Sequence, residues 1–165
     1  MSRTPKTTDS RRPYSAGSRR KRMRSGPGCV LIVEDHDDTR LMLRTILEMS
    51  GFSVLEAIDG EAAIQAAAEE CPDVILMDLG MPTVDGMGAM RRIREHKTIG
   101  KTPIVFLTGW AESPAREAAL SAGCNDYLVK PIELDQVISV IERWLPRQAR
   151  SMAAAQASLN EVGTQ

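Results

Sequence analysis

The chain has 165 residues, of which 42% are hydrophobic and 26% charged, with a net charge of −1, as is typical of one globular domain with flexible ends. No apolar run reaches the roughly 20 residues that cross a bilayer, and no apolar segment follows the basic residues near the N-terminus, so we expect a cytoplasmic protein without membrane contact. Three cysteines, Cys29, Cys71 and Cys124, are too few and too scattered for a disulfide framework, and neither they nor the histidines have zinc-site spacing.

The first 27 residues form a strongly basic segment, with nine Lys/Arg and one acid, Asp9. Its charge is therefore +8, which leaves −9 for residues 28–165. Ser, Thr, Pro, Gly and Arg dominate residues 1–27, which bury too little apolar surface to offset ordering entropy, and we predict a disordered tail. The basic run 19–24 is compatible with sequence-blind nucleic-acid binding, although a solvated tail without a ligand is the simpler interpretation.

Five short runs rich in β-branched residues and leucine alternate with five segments of helical periodicity. The predicted strands are 29–34, 53–57, 73–78, 103–108 and 126–130. The predicted helices are 38–49, 60–70, 86–95, 113–122 and 133–145. Leu41, Ile46 and Met49 exemplify the apolar stripe that we expect on the first helix.

Strict alternation of strand and helix, joined by right-handed crossovers, predicts an α/β fold with one parallel sheet and helices on both faces. This predicted domain spans residues 28–146. Residues 147–165 follow Pro146 and show little apolar periodicity, so we predict a flexible C-terminal tail.

Polar residues stand at the carboxyl ends of the predicted strands. Glu34 and Asp35 lie where the chain leaves the first strand, Asp78 ends the third, Thr108 ends the fourth and Lys130 ends the fifth. The carboxyl ends of parallel strands meet at one edge of a sheet, so these five residues are expected in one cleft. Three crowded carboxylates repel one another unless a proton or a cation compensates. A hard divalent cation with oxygen ligands is the natural compensation.

Magnesium fits this set, because it commonly takes one or two carboxylates together with phosphate oxygens and waters. Asp35 and Asp78 are suited to bind it directly, and Glu34 through a water. A carboxylate that accepts a phosphoryl group also needs positive charge and donors around the transferring oxygens. Lys130 supplies the charge and Thr108 a hydroxyl.

Four motifs resemble those of the receiver domains of bacterial two-component response regulators, over residues 29–146. They are VEDHDD at 33–38, MDLGMPTVDGM at 77–87, LTG at 107–109 and YLVKP at 127–131. The resemblance implies a flavodoxin-like (βα)5 fold whose five-stranded parallel sheet has the order 2-1-3-4-5. It further implies a stand-alone receiver of the single-domain type, since only residues 147–165 follow the domain.

The same resemblance assigns roles to the residues of the predicted cleft. It implies phosphorylation of Asp78 by a sensor histidine kinase or a histidine phosphotransfer protein, with Lys130 pairing with the phosphoryl group. Mg²⁺, or Mn²⁺, would be held by Asp35, Asp78 and the backbone carbonyl of Gly80, with Glu34 completing the acidic pocket. The protein would be no enzyme in the usual sense, because its chemistry would be limited to its own phosphotransfer and autodephosphorylation.

A conformational switch is implied as well, in which Thr108 moves toward the phosphoryl oxygens while Tyr127 turns inward. The surface formed by the fourth helix, the fifth strand and the fifth helix would then change its affinity for an unknown downstream protein. The protein would be a monomer or a phosphorylation-dependent dimer. Gly80 and Trp110 occupy two positions that tune hydrolysis of the acyl phosphate in the family.

Other interpretations remain open from the sequence. The chain is also compatible with a pseudo-receiver scaffold whose acidic pocket is idle, or with a receiver that regulates nucleic-acid binding by the basic tail. A magnesium-dependent phosphatase with an aspartyl nucleophile would need an acid two residues after Asp78, where Gly80 stands. His36 lacks a ligand-spaced partner, and we expect it to be a solvated loop residue.

Overall fold

The computed structural model describes residues 26–81, 86–109 and 114–146. Most of the predicted N-terminal tail, all of the predicted C-terminal tail and Trp110 lie outside these ranges, and the predictions for them stay predictions. Within the described ranges, no helix has the length and apolar character needed to cross a membrane.

Ten elements follow one another in strict alternation. They are β1 Cys29–Val33, α1 Asp37–Met49, β2 Ser53–Ala57, α2 Gly60–Glu70, β3 Val74–Asp78, α3 Gly86–Glu95, β4 Ile104–Thr108, α4 Pro114–Ser121, β5 Asp126–Val129 and α5 Leu134–Trp144. Each boundary lies within one residue of its predicted position. The sequence signals that produced this agreement are the apolar runs of the strands and the helical spacing between them.

The strands form one parallel sheet in the order β2-β1-β3-β4-β5, which confirms the predicted topology. The order reverses beside β1, which pairs with β2 on one side and β3 on the other. In open α/β sheets, ligands bind outside the carboxyl ends of the strands at such a switch point. Residues that follow β1 and β3 are therefore in the favoured position for chemistry.

The sheet has an apolar cluster on each face, because successive strand side chains point to opposite sides. On one face the strands pack against α1 and α5, through Val30, Ile32, Leu43, Leu47, Leu76, Leu107, Val137 and Ile141. On the other they pack against α2, α3 and α4, through Leu31, Val33, Ala63, Ala67, Ile75, Met77, Met90, Phe106 and Ala119. β1, β3 and β4 are buried throughout, as expected for strands covered on both faces.

The predicted apolar stripe of α1 is wrong. Leu41 is 61% exposed and Met49 78% exposed, and Ile46 is only partly buried. The side chains that enter the core are Leu43 and Leu47, both fully buried. This helix carries apolar residues on more than one face, so the face that meets the sheet depends on how the helix docks and not on spacing alone.

One glycine at each end of the sheet positions a helix, Gly51 at the amino end and Gly86 at the carboxyl end, where the site lies. Gly51 has φ +85° and ends α1, and the N–H of Phe52 bonds to the carbonyl of Leu47 at 3.0 Å, which is a helix-ending pattern that favours glycine. At the start of α3, a Cβ on Gly86 would lie 2.6 Å from the carbonyl oxygen of Asp78. Glycine therefore lets α3 begin directly against the backbone at the end of β3.

Candidate functional site

Glu34 is the most deeply buried charged group of the cleft, with no exposed surface. Its N–H donates to the carbonyl of Ala57 at 3.1 Å, which extends the β1–β2 pairing by one residue and holds the side chain inside. Its Oε1 accepts the backbone N–H of His36 at 3.2 Å, and its Oε2 accepts from Lys130 Nζ at 2.9 Å. The cost of burying this carboxylate is therefore offset by pairing.

Lys130 joins the ends of three strands. Its Nζ lies 2.9 Å from Glu34 Oε2 and 3.3 Å from Asp78 Oδ1, and its backbone N–H bonds to the carbonyl of Thr108 at 2.7 Å. Burial alone would lower the pKa of Lys130, but the hydrogen bond to Glu34 and the charge of Asp78 outweigh burial and raise that pKa above its ordinary value. The cleft thus holds a permanent ammonium between two carboxylates.

Asp78 ends β3 with only 6% of its surface exposed. The N–H of Leu79 donates to the carbonyl of Leu107 at 2.9 Å, which continues the β3–β4 pairing past the aspartate and fixes its backbone. Gly80 lies beside the carboxylate, since a Cβ there would stand 3.7 Å from Asp78 Oδ2. The structure therefore brings Asp78, Glu34 and Lys130 together, as the strand ends predicted. Gly80, which only the resemblance implied, lies beside Asp78.

Asp35 presents an oxygen without a donor. The Oδ1 atom is buried and accepts no hydrogen bond from any described residue, although His36 Nδ1 lies 3.0 Å away. That contact is an ion pair when the His36 ring is protonated. A buried carboxylate oxygen without a donor is costly on its own. Together with the adjacent Glu34, such an oxygen fits a divalent cation, so the residues present are suited to hold a metal.

His36 contacts the carboxylates of both Glu34 and Asp35 in the first loop, residues 34–36 between β1 and α1. Sequence reasoning did not predict these contacts. Its ring is 73% exposed, as expected of a loop residue, but Nδ1 lies 3.1 Å from Glu34 Oε1 and 3.0 Å from Asp35 Oδ1. The hydrogen bond to Glu34 and the charge of Asp35 raise the pKa of His36. The available signal was simple adjacency, because His36 follows the acidic pair directly.

Arg40 is a second residue that sequence reasoning did not single out. Its guanidinium donates to the carbonyl of Glu34 at 2.9 Å and pairs with Asp37 in the first turn of α1. Glu56 at the end of β2 lies 3.5 Å from the same guanidinium. The side chain of Arg40 is only 14% exposed. Through these contacts it links the loop of Glu34 and Asp35 to α1 and to β2.

The two predicted switch residues line one small cavity. Thr108, which is 8% exposed, and Tyr127 share this cavity of about 10 Å³ with Leu79, Phe106, Ala119 and Cys124. One of the lining groups, the Cys124 thiol, has a raised pKa, chiefly because it is buried and also because of the charge of Asp126. A volume of this size holds about one water at most. A large inward movement of the tyrosine ring therefore requires its neighbours to shift.

Residues 30–142 match the family model of the response regulator receiver domain. Regulatory protein AtoC of Escherichia coli is 38% identical over 120 residues, which make up 73% of this chain and 26% of AtoC. The receiver domain of the sensor histidine kinase PA1611 of Pseudomonas aeruginosa, solved with magnesium in its active-site cleft, is 35% identical with a TM-score of 0.68, over 73% of this chain and 98% of that one. The receiver domain of Saccharomyces cerevisiae Ssk1, solved with the phosphotransfer protein Ypd1, is 31% identical with a TM-score of 0.67, over 73% and 90%.

Proposed function

The chain belongs to the response regulator receiver domain family, and on that premise we propose that Asp78 accepts a phosphoryl group from a histidine kinase or phosphotransfer protein in a two-component or phosphorelay system. The observation that carries the proposal is Lys130 Nζ between Asp78 Oδ1 at 3.3 Å and Glu34 Oε2 at 2.9 Å. The neighbour Ssk1 was solved with a phosphotransfer protein, which supports the class of donor. Because the chain spans only 26% of AtoC, the activity of any whole protein is part of the proposal.

The proposed reaction is an in-line displacement at phosphorus. A carboxylate oxygen of Asp78 forms the new P–O bond while the P–N bond to the donor imidazole breaks, and the imidazole leaves with the bonding electron pair. The Lys130 ammonium offsets the charge on the transferring oxygens. The chain would be no enzyme beyond this step and the later hydrolysis of its own acyl phosphate.

A divalent ion, Mg²⁺ or Mn²⁺, belongs to the proposal because the acidic pocket is suited to one. Asp35, Asp78 and the Gly80 carbonyl would hold the ion, with Glu34 acting through a water. When bound, it would supply positive charge opposite the phosphoryl oxygens. The buried Asp35 Oδ1, which has no donor among the described residues, supports this assignment.

The proposed output is a change of partner affinity. A phosphoryl group adds about −1.5 to −2 charge and new acceptor oxygens, which favours a state with the Thr108 hydroxyl turned toward them. Thr108 and Tyr127 line the same cavity, so a movement of Thr108 changes the packing of the ring. The surface formed by α4, β5 and α5 would follow, with an unidentified downstream protein or a second copy of the chain as its partner.

The test is the intact mass of the protein after incubation with a small acyl-phosphate donor, with and without Mg²⁺. We expect one metal-dependent phosphoryl adduct on the wild type and on Asp38→Ala, which changes an exposed acid of α1. The Asp78→Ala variant should show none.

Absence of an adduct on the wild type, after rapid acid quenching and with a phosphorylated histidine kinase as donor, would favour the idle scaffold. An adduct that persists on Asp78→Ala would move the acceptor to another residue.

A further inference from the structure

The first loop already spaces three donor atoms as neighbouring ligands of one ion. His36 Nδ1 lies 3.1 Å from Glu34 Oε1 and 3.0 Å from Asp35 Oδ1, and the three atoms lie within 4.8 Å of one another. Two ligands with bonds of about 2.1 Å at a right angle stand about 3.0 Å apart. The spacing of these three atoms is therefore that of neighbouring ligands around one ion.

The charges around these atoms also favour a cation. Lys130 neutralises the far oxygen of Glu34, Oε2, and leaves Oε1 facing the histidine. Asp35 Oδ1 is buried without a donor among the described residues, so a cation would satisfy it. Arg40 holds the Glu34 carbonyl at 2.9 Å, which fixes the loop before any ion arrives.

The nature of the donors decides which ions gain from this arrangement. Magnesium prefers an oxygen-only environment, whereas an imidazole nitrogen favours borderline ions such as Ni²⁺, Co²⁺ and Zn²⁺. We propose that His36 is a nitrogen ligand in the pocket of Glu34 and Asp35. We propose further that this pocket binds either Mg²⁺ or a borderline first-row divalent ion, and that only the borderline ion uses the His36 nitrogen. This inference rests on the proposed function, because it concerns the same metal pocket.

The chain provides an internal control for His36 as the nitrogen ligand. The sequence contains only two histidines, His36 and His96. His96 is exposed just after α3, where Nδ1 accepts the N–H of Thr98 at 3.3 Å, and it provides the matched control. Cys71 is an exposed thiol that also binds soft ions, so the experiment uses the full chain with Cys71→Ser.

The experiment measures Ni²⁺, Co²⁺ and Mg²⁺ affinity by calorimetry for the Cys71→Ser chain and for its His36→Ala and His96→Ala derivatives. We expect His36→Ala to weaken Ni²⁺ and Co²⁺ binding about tenfold or more, while Mg²⁺ affinity stays near that of the parent. His96→Ala should match the parent for all three ions. In the parent, traces of Co²⁺ should shift and broaden the imidazole proton resonances of His36 and leave those of His96 unchanged, a readout that needs no His36 variant.

Several outcomes would overturn the inference. Ni²⁺ affinity unchanged in His36→Ala, an equal loss in His96→Ala, or perturbation of His96 alone would each remove His36 as a ligand. If Mg²⁺ still binds and Asp78 is still phosphorylated in that case, only the nitrogen ligand fails. If Mg²⁺ neither binds nor supports an adduct, the proposed function fails with it.

Discussion

The two ends of the sheet treat their polar groups in opposite ways. At the amino end, Arg94 of α3 donates hydrogen bonds of 2.8 to 3.2 Å to the carbonyls of Gly100, Thr102 and Gly123 and to Asn125 Oδ1. One side chain thus ties α3, the segment before β4 and the segment before β5 together. Burial lowers the pKa of Arg94, and the oxygens that accept its hydrogen bonds are neutral.

At the carboxyl end, charges of one sign are crowded instead. Lys130 pairs with Glu34 and Asp78, and His36 lies against Glu34 and Asp35. Asp35 Oδ1 accepts no hydrogen bond within the described residues. The comparison teaches that stability and function are separated along the strands. The hydrogen-bonding groups around Arg94 are satisfied without a ligand, whereas the three carboxylates at the carboxyl end carry more negative charge than Lys130 offsets, and a bound cation would balance it.

The largest expected effect is at the amino end. Arg94→Met should lower the free energy of unfolding by about 3 kcal/mol, because several carbonyls lose a charged donor at once. Urea unfolding measures this, with Arg91→Met as the control, since Arg91 is an exposed residue of the same helix. A loss in Arg94→Met no larger than in the control would show that water replaces the guanidinium at little cost and would remove the contrast between the ends.

A somewhat smaller effect is expected at the carboxyl end. Mg²⁺ at one hundred times its dissociation constant should stabilise the fold by about 2.7 kcal/mol, and Asp35→Ala should lose most of that gain. Without the ion, Asp35→Ala should be at least as stable as the wild type, because the replaced oxygen has no donor among the described residues. Thermal unfolding with and without Mg²⁺ measures both quantities.

The matched control for that experiment is Asp73→Ala, at the opposite end of the sheet. Asp73 Oδ2 accepts the N–H of Cys29 at 2.8 Å, so its loss should cost about 1 kcal/mol with or without the ion. If Asp35→Ala instead destabilises the ion-free protein as much as Asp73→Ala does, the acid is structural and the contrast is broken.

The smallest effect concerns the thiols. Burial raises the pKa of Cys124, which stands two residues before β5, whereas Cys71 is exposed. At pH 8, iodoacetamide should alkylate Cys71 first and Cys124 only slowly, as peptide mass spectrometry after timed quenching would show. In the unfolded chain, a cysteine thiol has a pKa of about 8.5, and burial raises the pKa of Cys124 above that value in the folded protein. The contribution of the protonated Cys124 to the free energy of unfolding should therefore be fully present below about pH 8.5 and should be lost as the pH rises through the folded pKa.

Comparable alkylation rates for Cys71 and Cys124 would mean that the segment before β5 opens readily. That result would contradict the expectation that the hydrogen bonds from Arg94 to Gly123 and Asn125 hold this segment in place. The Cys71→Ser variant is the control, since its remaining alkylation reports only the two buried thiols.

Much of the fold was predictable because its signals are local. Apolar runs of five or six residues mark strands covered on both faces, and each helix boundary agreed within one residue. The grouping of Glu34, Asp78 and Lys130 was predictable for a related reason, since parallel strands that alternate with helices must bring their carboxyl ends together.

The face of α1 was not predictable in the same way. Leu41 and Met49 satisfy helical spacing as well as Leu43 and Leu47 do, but only the second pair is buried. Spacing defines a stripe, and the choice among stripes is made by the shape of the sheet that the helix meets. The exposed pair is therefore a result of docking and not of periodicity.

By itself, the sequence determined the order of strands and helices, the parallel sheet and the identity of the polar groups at its carboxyl end, because these follow from local patterns and connection rules. Only the tertiary structure decided that the His36 ring contacts Glu34 and Asp35. The same holds for the hydrogen bonds by which Arg94 links α3 to the segments before β4 and β5. Loop direction and side-chain reach depend on atoms brought together from separate segments. For that reason the donors around a site are fixed by packing, even where its acids can be read from the sequence.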